Sequence, residues 1–103
     1  MLDPQRFRRE TIRWQILLTL NNARPIGANE AMLLIVARSQ FPDVTSMEVR
    51  RELDYLEARE LLEVEKDQDG NWHSKLTRYG MDVADYTVAC DPGIARPEKY
   101  WNS

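Results

Sequence analysis

The first part of the chain carries apolar residues at helical spacing. They recur every three to four positions, at Ile12, Ile16, Leu17 and Leu20. This spacing predicts a helix from Gln5 to Asn22. Asp3 and Pro4 stand in the positions that an N-cap and a first-turn residue prefer. The chain is therefore expected to begin with a helix that buries one of its faces.

A second apolar run predicts another helix. Asn29 is placed to cap a helix over Glu30 to Gln40, in which five consecutive residues from 32 to 36 are apolar. Because this helix is apolar on nearly every side, we expect it to be central to the core. The segment before it, Arg24 to Gly27, is too short and too rich in Pro and Gly for a helix, and predicts a turn or a short edge strand.

A third helix follows a break at Phe41-Pro42-Asp43-Val44, since the residue before a proline is pushed out of the α region. Thr45 or Ser46 caps this helix, and Glu48 is placed to complete a capping box. Its predicted buried stripe is Val49, Leu53 and Leu56. Two helices joined by a short turn form a helix-turn-helix arrangement, which also occurs in proteins that never bind DNA.

The pattern then changes to alternation, which predicts a β-hairpin. Leu62 to Lys66 and Trp72 to Leu76 form its strands, and the Asp-Gly signal in Asp67 to Asn71 forms its turn. The side chains expected to cover the core are Leu62, Val64, Trp72 and Leu76. Those expected to face solvent are Glu63, Glu65, His73 and Lys75. Thr77 caps a last helix that runs to about Tyr86.

This order of elements predicts a mostly helical α+β fold, a winged helix-turn-helix with a three-helix core, a β-hairpin wing and a C-terminal helix. A chain of 103 residues and 12.1 kDa has room for one core only. The winged-helix domain is expected to span 1–86, and 87–103 to form a C-terminal tail containing proline.

Composition removes several classes of function. The longest apolar stretch, Ala31 to Ala37, is far shorter than a membrane span. We therefore expect a cytoplasmic protein. With Cys90 and His73 the only residues of their kinds, an internal disulfide and a zinc site of Cys and His ligands are excluded. Because Cys90 lies in a Pro- and Gly-flanked segment with nothing to stabilise a thiolate, we expect no enzyme and no cofactor.

Two stretches of the sequence resemble known proteins. Val49 to Leu62, followed by the hairpin and Leu76-Thr77-Arg78-Tyr79-Gly80, resembles winged-helix proteins of the bacterial regulator type. In those, R-x-x-L-x-x-L-E-x-x-G-L-[IV] joins recognition helix to wing, and L-T-x-x-G opens the last helix. Glu60 departs from the pattern, because the resemblance implies a left-handed turn that usually holds glycine. A non-Gly residue there costs on the order of 1 kcal/mol.

A narrower resemblance lies near the end of the chain. Asp82-Val83-Ala84-Asp85, followed by the segment 91–97, is similar to small winged-helix proteins encoded by Mu-like phages and prophages. This resemblance implies a phage origin and the winged fold. It brings no activity with it.

The winged fold suggests DNA binding, in which the third helix enters the major groove and the wing reaches phosphate. The candidate DNA contacts are Thr45, Ser46, Arg50 and Arg51 on the helix and Lys66, Asn71, His73 and Lys75 on the wing. Charge argues the other way. Residues 45–60 and 63–75 each carry a net charge of −2, and the whole chain carries −3. The basic stripe that favours phosphate binding is absent.

Two hypotheses follow. The first is sequence-specific binding of double-stranded DNA by a homodimeric phage or bacterial regulator. The second is a winged-helix module that binds a phage or host protein. Trp14, Tyr100 and Trp101 are candidate contacts to a partner or to a second copy of the chain. For the helix arginines, the alternative is a solvated face with ion pairs such as Arg50 with Asp54.

Overall fold

Four helices and three strands make up the molecule, and the computed structural model describes residues 3–99. The elements are α1 (Pro4–Asn22), β1 (Ala28–Asn29), α2 (Glu30–Arg38), α3 (Ser46–Ala58), β2 (Leu62–Lys66), β3 (Trp72–Leu76) and α4 (Arg78–Ala84). Their order confirms the predicted winged helix-turn-helix. The predicted bounds are confirmed to within two residues, since α2 ends at Arg38 instead of Gln40 and α4 ends at Ala84 instead of Tyr86.

Each helix begins where a short polar side chain accepts a hydrogen bond from the first turn. Asp3 accepts from the Gln5 N–H at 3.0 Å, and Asn29 accepts from the Met32 N–H at 2.9 Å. Thr45 caps α3 by accepting from the Glu48 N–H at 3.2 Å, and Thr77 caps α4 in the same way. These bonds satisfy N–H groups that have no partner within the helix, so local chemistry defines the starts of all four helices.

The sheet is antiparallel with strand order β1-β3-β2, so the long hairpin is extended by a short edge strand. Leu62 is opposite Leu76 at the base of the hairpin, and Lys66 is opposite Trp72 near its tip. The turn of the hairpin is closed by the Asp67 carboxylate, which accepts from the Asp69 and Asn71 N–H groups at 2.9 Å each. This hairpin is the wing.

The core lies between α1, α3 and the base of the wing. Its fully buried side chains include Ile12, Ile16, Leu17, Leu20, Val49, Leu53, Leu56, Leu61 and Leu62. The expectation that α2 is central was wrong. Of its residues only Leu33 and Ala37 are buried, whereas Met32 is 49% and Ile35 67% exposed. A helix of nine residues offers one face to α1 and α3, and nothing among the described residues covers its other face.

A buried ion pair joins α1 to α3. Arg13 Nε donates to Glu52 Oε1 at 2.7 Å, and the Glu52 side chain is only 1% exposed. The same guanidinium lies 3.4 Å from the centre of the Tyr55 ring and donates to the Gly93 carbonyl at 2.8 Å. One arginine thus holds two helices and the segment after α4 together.

Residues 91–96 pack against the helices. Ile94 is buried, and the Ala95 N–H donates to the Glu10 carbonyl of α1 at 3.0 Å. Arg59, at the end of α3, donates to the Asp91 carboxylate at 3.0 Å. These contacts extend the core beyond α4.

Glu60 adopts the left-handed conformation that the family resemblance implies, with φ of 65°. Its carbonyl accepts from the Thr77 hydroxyl at 2.6 Å, which links the end of α3 to the start of α4. Tyr86 has a similar φ of 64°, and α4 ends just before it. Both turns place a side chain where glycine is less strained.

Replacing Glu60 with glycine is expected to raise the free energy of unfolding by up to about 1 kcal/mol, because it removes the left-handed penalty. Urea denaturation measures the change. The control is Glu63→Gly, at an exposed strand position, which should lower stability. A Glu60→Gly variant less stable than the parent would contradict this account of the turn.

Removing one partner of the buried ion pair is expected to be severe. Glu52→Ala should cost about 3 kcal/mol or more, since Arg13 would be left buried without a counter-charge. The double variant Arg13→Met with Glu52→Leu should recover much of that loss in the same denaturation measurement. A loss below about 1 kcal/mol, comparable to that of the exposed control Glu65→Ala, would show that the pair is not a central support.

Candidate nucleic-acid interface

The first turn of α3 is exposed and carries small polar side chains. Thr45 and Ser46 are both exposed, and Met47 beside them is 66% exposed. The hydroxyl of Thr45 is occupied as the helix cap. The turn also presents the positive end of the helix dipole, which favours a negatively charged group. This end of α3 therefore combines polar side chains with a favourable field for an anion.

Arg8 of α1 fixes this end of α3 in place. It donates to both oxygens of Glu48, at 2.6 and 2.9 Å, and to Asp43 at 2.8 Å. These hydrogen bonds, ahead of the opposing effect of burial, hold the pKa of the Glu48 carboxyl below its usual range. The start of α3 is thus tied to α1 through a bidentate pair.

Arg50 is engaged within the protein. It donates to both carboxylate oxygens of Glu30 on α2, and its Nη2 also donates to the Gly70 carbonyl in the wing turn at 2.8 Å. Its guanidinium lies 4.8 Å from the centre of the Trp72 ring. The pair with Asp54 that helical spacing favours is not formed, because Glu30 provides the better-placed carboxylate. Arg50 connects α2, α3 and the wing.

Arg51, the next residue, is exposed, and its side chain makes no hydrogen bond or ion pair with any other residue in the range 3–99. It lines a shallow depression whose other residues include Arg8 and the two carboxylates paired with Arg8, Asp43 and Glu48. Of the two predicted arginines, Arg51 is therefore the one whose donors are available to a ligand. Thr45 and Arg51 line the same depression, whereas Ser46 lines a separate groove beside the wing.

The predicted wing residues do not form one cluster. Lys66 lies 4.2 Å from the centre of the Trp72 ring, and Asn71 is held by the Asp67 carboxylate at 3.2 Å. Both are near the wing tip. Lys75 is exposed at the other end of β3.

His73 is half-buried, not simply exposed as expected. Its Nε2 forms a hydrogen bond with the Ile26 carbonyl at 2.8 Å. This bond ties the outer face of the wing to the turn before β1. The side chain is therefore engaged with that turn, and His73 also lines a groove that Ser46 and Asn71 share.

Between α2, the start of α3 and the wing runs a groove of 560 Å³ with acidic walls. Glu30, Glu65 and Asp67 line it together with Ser46 and Trp72. Only the Glu30 carboxylate is neutralised by an arginine, namely Arg50. The groove is therefore unfavourable for phosphate, in agreement with the charge deduced from the sequence.

Of the three aromatic residues predicted to contact a partner, Trp14 lies within the described residues. Trp14 is half-buried and packs edge-to-face on Tyr86, with ring centres 6.0 Å apart. Its role in contacting a partner stays a prediction. Tyr100 and Trp101 lie outside the described residues.

Among the long-range ion pairs that sequence reasoning missed are Arg8 with Glu48 and Arg50 with Glu30, which are 40 and 20 residues apart. Helical spacing reveals pairs within one helix, so it gave no signal for either. Across residues 3–99, no helix is long and apolar enough to cross a membrane. Over the same range, no group of three or more His, Cys, Asp or Glu side chains is arranged to hold a metal ion.

Comparison with solved structures supports the fold. The chain is similar to the crystal structure of a "putative DNA-binding protein" from Ralstonia eutropha JMP134, with a TM-score of 0.63 and 22% sequence identity. The match covers 86% of this chain and 100% of the other. No protein-family model matches the sequence, and comparison with curated proteins gives no significant match. The molecule has a winged helix-turn-helix fold.

The Arg8 cluster predicts a specific pH dependence. Since the pKa values of Glu48 and Asp43 are lowered in the folded protein, their contribution is present above the unfolded pKa of about 4 and is lost as the pH falls through the folded values. Arg8→Gln should therefore destabilise the protein at neutral pH by more than it does near pH 3.

Urea unfolding of the parent and of Arg8→Gln at a series of pH values measures this difference. The matched control is Arg6→Gln, which removes an exposed pair with Glu10 on the same helix. A destabilisation by Arg8→Gln that is the same at every pH would contradict the assignment.

Proposed function

We propose that the chain binds double-stranded DNA through the start of α3, with the wing alongside, and acts as a regulator of transcription and not as an enzyme. The observation that carries the proposal is the exposed start of α3, where Thr45 and Arg51 line one depression, the Arg51 side chain is unpaired, and Ser46 is exposed next to Thr45. The likeness in fold to a protein described as DNA-binding supports it. In helix-turn-helix proteins this end of the recognition helix contacts base edges.

Arg51 is the residue proposed to read a base. A free guanidinium donates two parallel hydrogen bonds to O6 and N7 of guanine, which is the commonest specific contact in the major groove. Ser46 and Thr45 are short enough to bond to phosphate or to a base edge nearby. Lys66 and Asn71 are proposed to reach backbone phosphate from the wing tip.

Arg50 is proposed to act by positioning. While it is bonded to Glu30 and Gly70, it sets the distance between α3 and the wing tip. A direct contact from Arg50 to DNA, or from His73 and Lys75, stays a prediction. For such a contact, Arg50 and His73 would have to break their present hydrogen bonds, and the Lys75 side chain would have to extend toward the DNA.

The acidic groove limits the contribution of phosphate contacts. Glu65 and Asp67 face the same space as the proposed contacts, so sequence-independent affinity should be low. A protein of this kind gains affinity by binding as a homodimer to two half-sites, because the two copies bind cooperatively. We propose such a homodimer, with Trp14 as a candidate contact.

The resemblance of residues 82–97 to winged-helix proteins of Mu-like phages supports a phage or prophage origin. A gene neighbourhood rich in phage genes is the expected finding. A neighbourhood of housekeeping genes in several genomes would argue against this origin.

A second candidate function is binding to a protein. It is favoured by the acidic groove and by the exposed apolar side chains of α2, Met32 and Ile35. Exposed apolar side chains on a small domain often mark contact surfaces. In this alternative, α3 and the wing support the fold without contacting DNA.

The two functions are separated by selecting duplexes from random sequence or phage genomic fragments at low salt, then measuring affinity by fluorescence anisotropy. Arg51→Glu should weaken binding tenfold or more, on the order of 1–3 kcal/mol. Arg78→Glu is the matched control, since it reverses one charge on the exposed face of α4. Its effect should be much smaller.

Failure to retain any duplex at low salt would overturn the DNA-binding proposal. Equal effects of Arg51→Glu and Arg78→Glu would overturn the assigned surface, because they would indicate a response to net charge alone. If Met32→Glu or Ile35→Glu abolishes capture of a defined protein partner while no DNA is bound, the second function is favoured.

A further inference from the structure

A cavity of 470 Å³ lies behind the wing, between the end of α1, the turn that follows it, β3 and α4. Its walls are mostly apolar and include Leu20, Pro25, Leu76 and Met81. Two cationic side chains, Arg24 and Lys75, also line it. This volume is in the range of sites for small organic molecules, roughly 300–1,000 Å³.

Neither cation is paired with a carboxylate. Arg24 donates to the Met81 sulfur at 3.0 Å and weakly to the Asn21 carbonyl at 3.4 Å, and both acceptors are uncharged. The Lys75 side chain makes no hydrogen bond or ion pair with any other residue that the structure describes. By contrast, carboxylates pair with Arg6, Arg8, Arg13, Arg50, Arg59 and Arg78. Two cations without a carboxylate partner therefore line one mostly apolar cavity.

The nearby carboxylates do not neutralise the cavity. Asp85 accepts a hydrogen bond from the Asn21 amide at 2.9 Å, and no ion pair joins it to Arg24. Glu63 is opposite Lys75 in the β-ladder, but the two side chains form no ion pair. The cavity therefore has an electropositive side within an acidic protein.

The turn that carries Arg24 is held firmly against β3. The Ala23 carbonyl accepts from both the Ile26 and Gly27 N–H groups at 3.0 Å. Gly27 has φ of 84°, and a Cβ added to it would lie 2.2 Å from the Ser74 carbonyl oxygen. Only glycine permits this close approach, and it brings Arg24 and Lys75 to the same cavity.

We propose that this cavity binds a small organic monocarboxylate with an apolar body. The carboxylate accepts hydrogen bonds from Arg24 and Lys75, while the aliphatic or aromatic body packs against Leu20, Leu76 and Met81. Apolar walls favour such a molecule over inorganic phosphate or a polyanion, since these would have to lose water against a surface that offers few further donors. Because Lys75 and Leu76 belong to β3, an occupied cavity ties α1 and α4 to a strand of the wing.

Isothermal titration calorimetry with hexanoate and benzoate tests the proposal, and hexanamide and benzamide serve as uncharged probes of the same shape. The carboxylates should bind at least tenfold more tightly than the amides. Arg24→Gln and Lys75→Gln should each weaken carboxylate binding tenfold or more and leave amide binding unchanged. Lys66→Gln, which removes one charge from the neighbouring strand, is the control and should have no effect.

These substitutions are at exposed positions, so circular dichroism should show a folded protein in each case. Absence of heat with either carboxylate at millimolar concentration would overturn the proposal. Equal affinity for carboxylates and amides, or loss of affinity with Lys66→Gln equal to that with Lys75→Gln, would overturn the role of the two cations. Failure of DNA binding leaves this test unaffected, since the calorimetry contains no DNA.

Discussion

The buried pair of Arg13 and Glu52 is the interaction on which the rest of the structure depends. Burying two charges is costly unless each meets its partner, and here the guanidinium also lies on Tyr55 and bonds to the Gly93 carbonyl. Since these contacts belong to α1, α3 and the segment after α4, they fix the angle of α3 relative to the rest of the core. These contacts hold the buried side of α3 in place, and the first turn of α3 is exposed to solvent.

On the exposed side of α3, arginines again form ion pairs that join different elements. Arg8 joins α1 to Glu48, and Arg50 joins Glu30 to the wing turn. Most arginines near the recognition helix are used internally, which leaves Arg51 as the cation directed to solvent. In the proposed DNA binding, an acidic protein of this kind would depend on a few well-placed contacts, because its overall field repels phosphate.

Much of the architecture could be predicted from local chemistry. The caps Asp3, Asn29, Thr45 and Thr77 and the hairpin turn from Asp67 to Asn71 depend on neighbours within a few residues, and the structure confirms each. The left-handed turn at Glu60, which the family resemblance implied, is confirmed as well. The exposure of Ile35 and the pairing of Arg50 could not be predicted in this way. Both depend on how distant elements pack, and an apolar run in a short helix does not reveal which of its faces is covered. The region of the candidate site could therefore be predicted from the sequence. Which of its side chains are free to contact a ligand could not be predicted.

The central claim is that the start of α3, with the wing tip, contacts DNA. Titration of the ¹⁵N-labelled protein with a selected duplex, followed by NMR, tests it most directly. The account predicts that amide shifts concentrate at 45–51 and 66–71, and that Arg51 side-chain signals move while the Arg50 contacts to Glu30 persist. Shifts confined to the exposed face of α2, or spread evenly over the molecule, would contradict it.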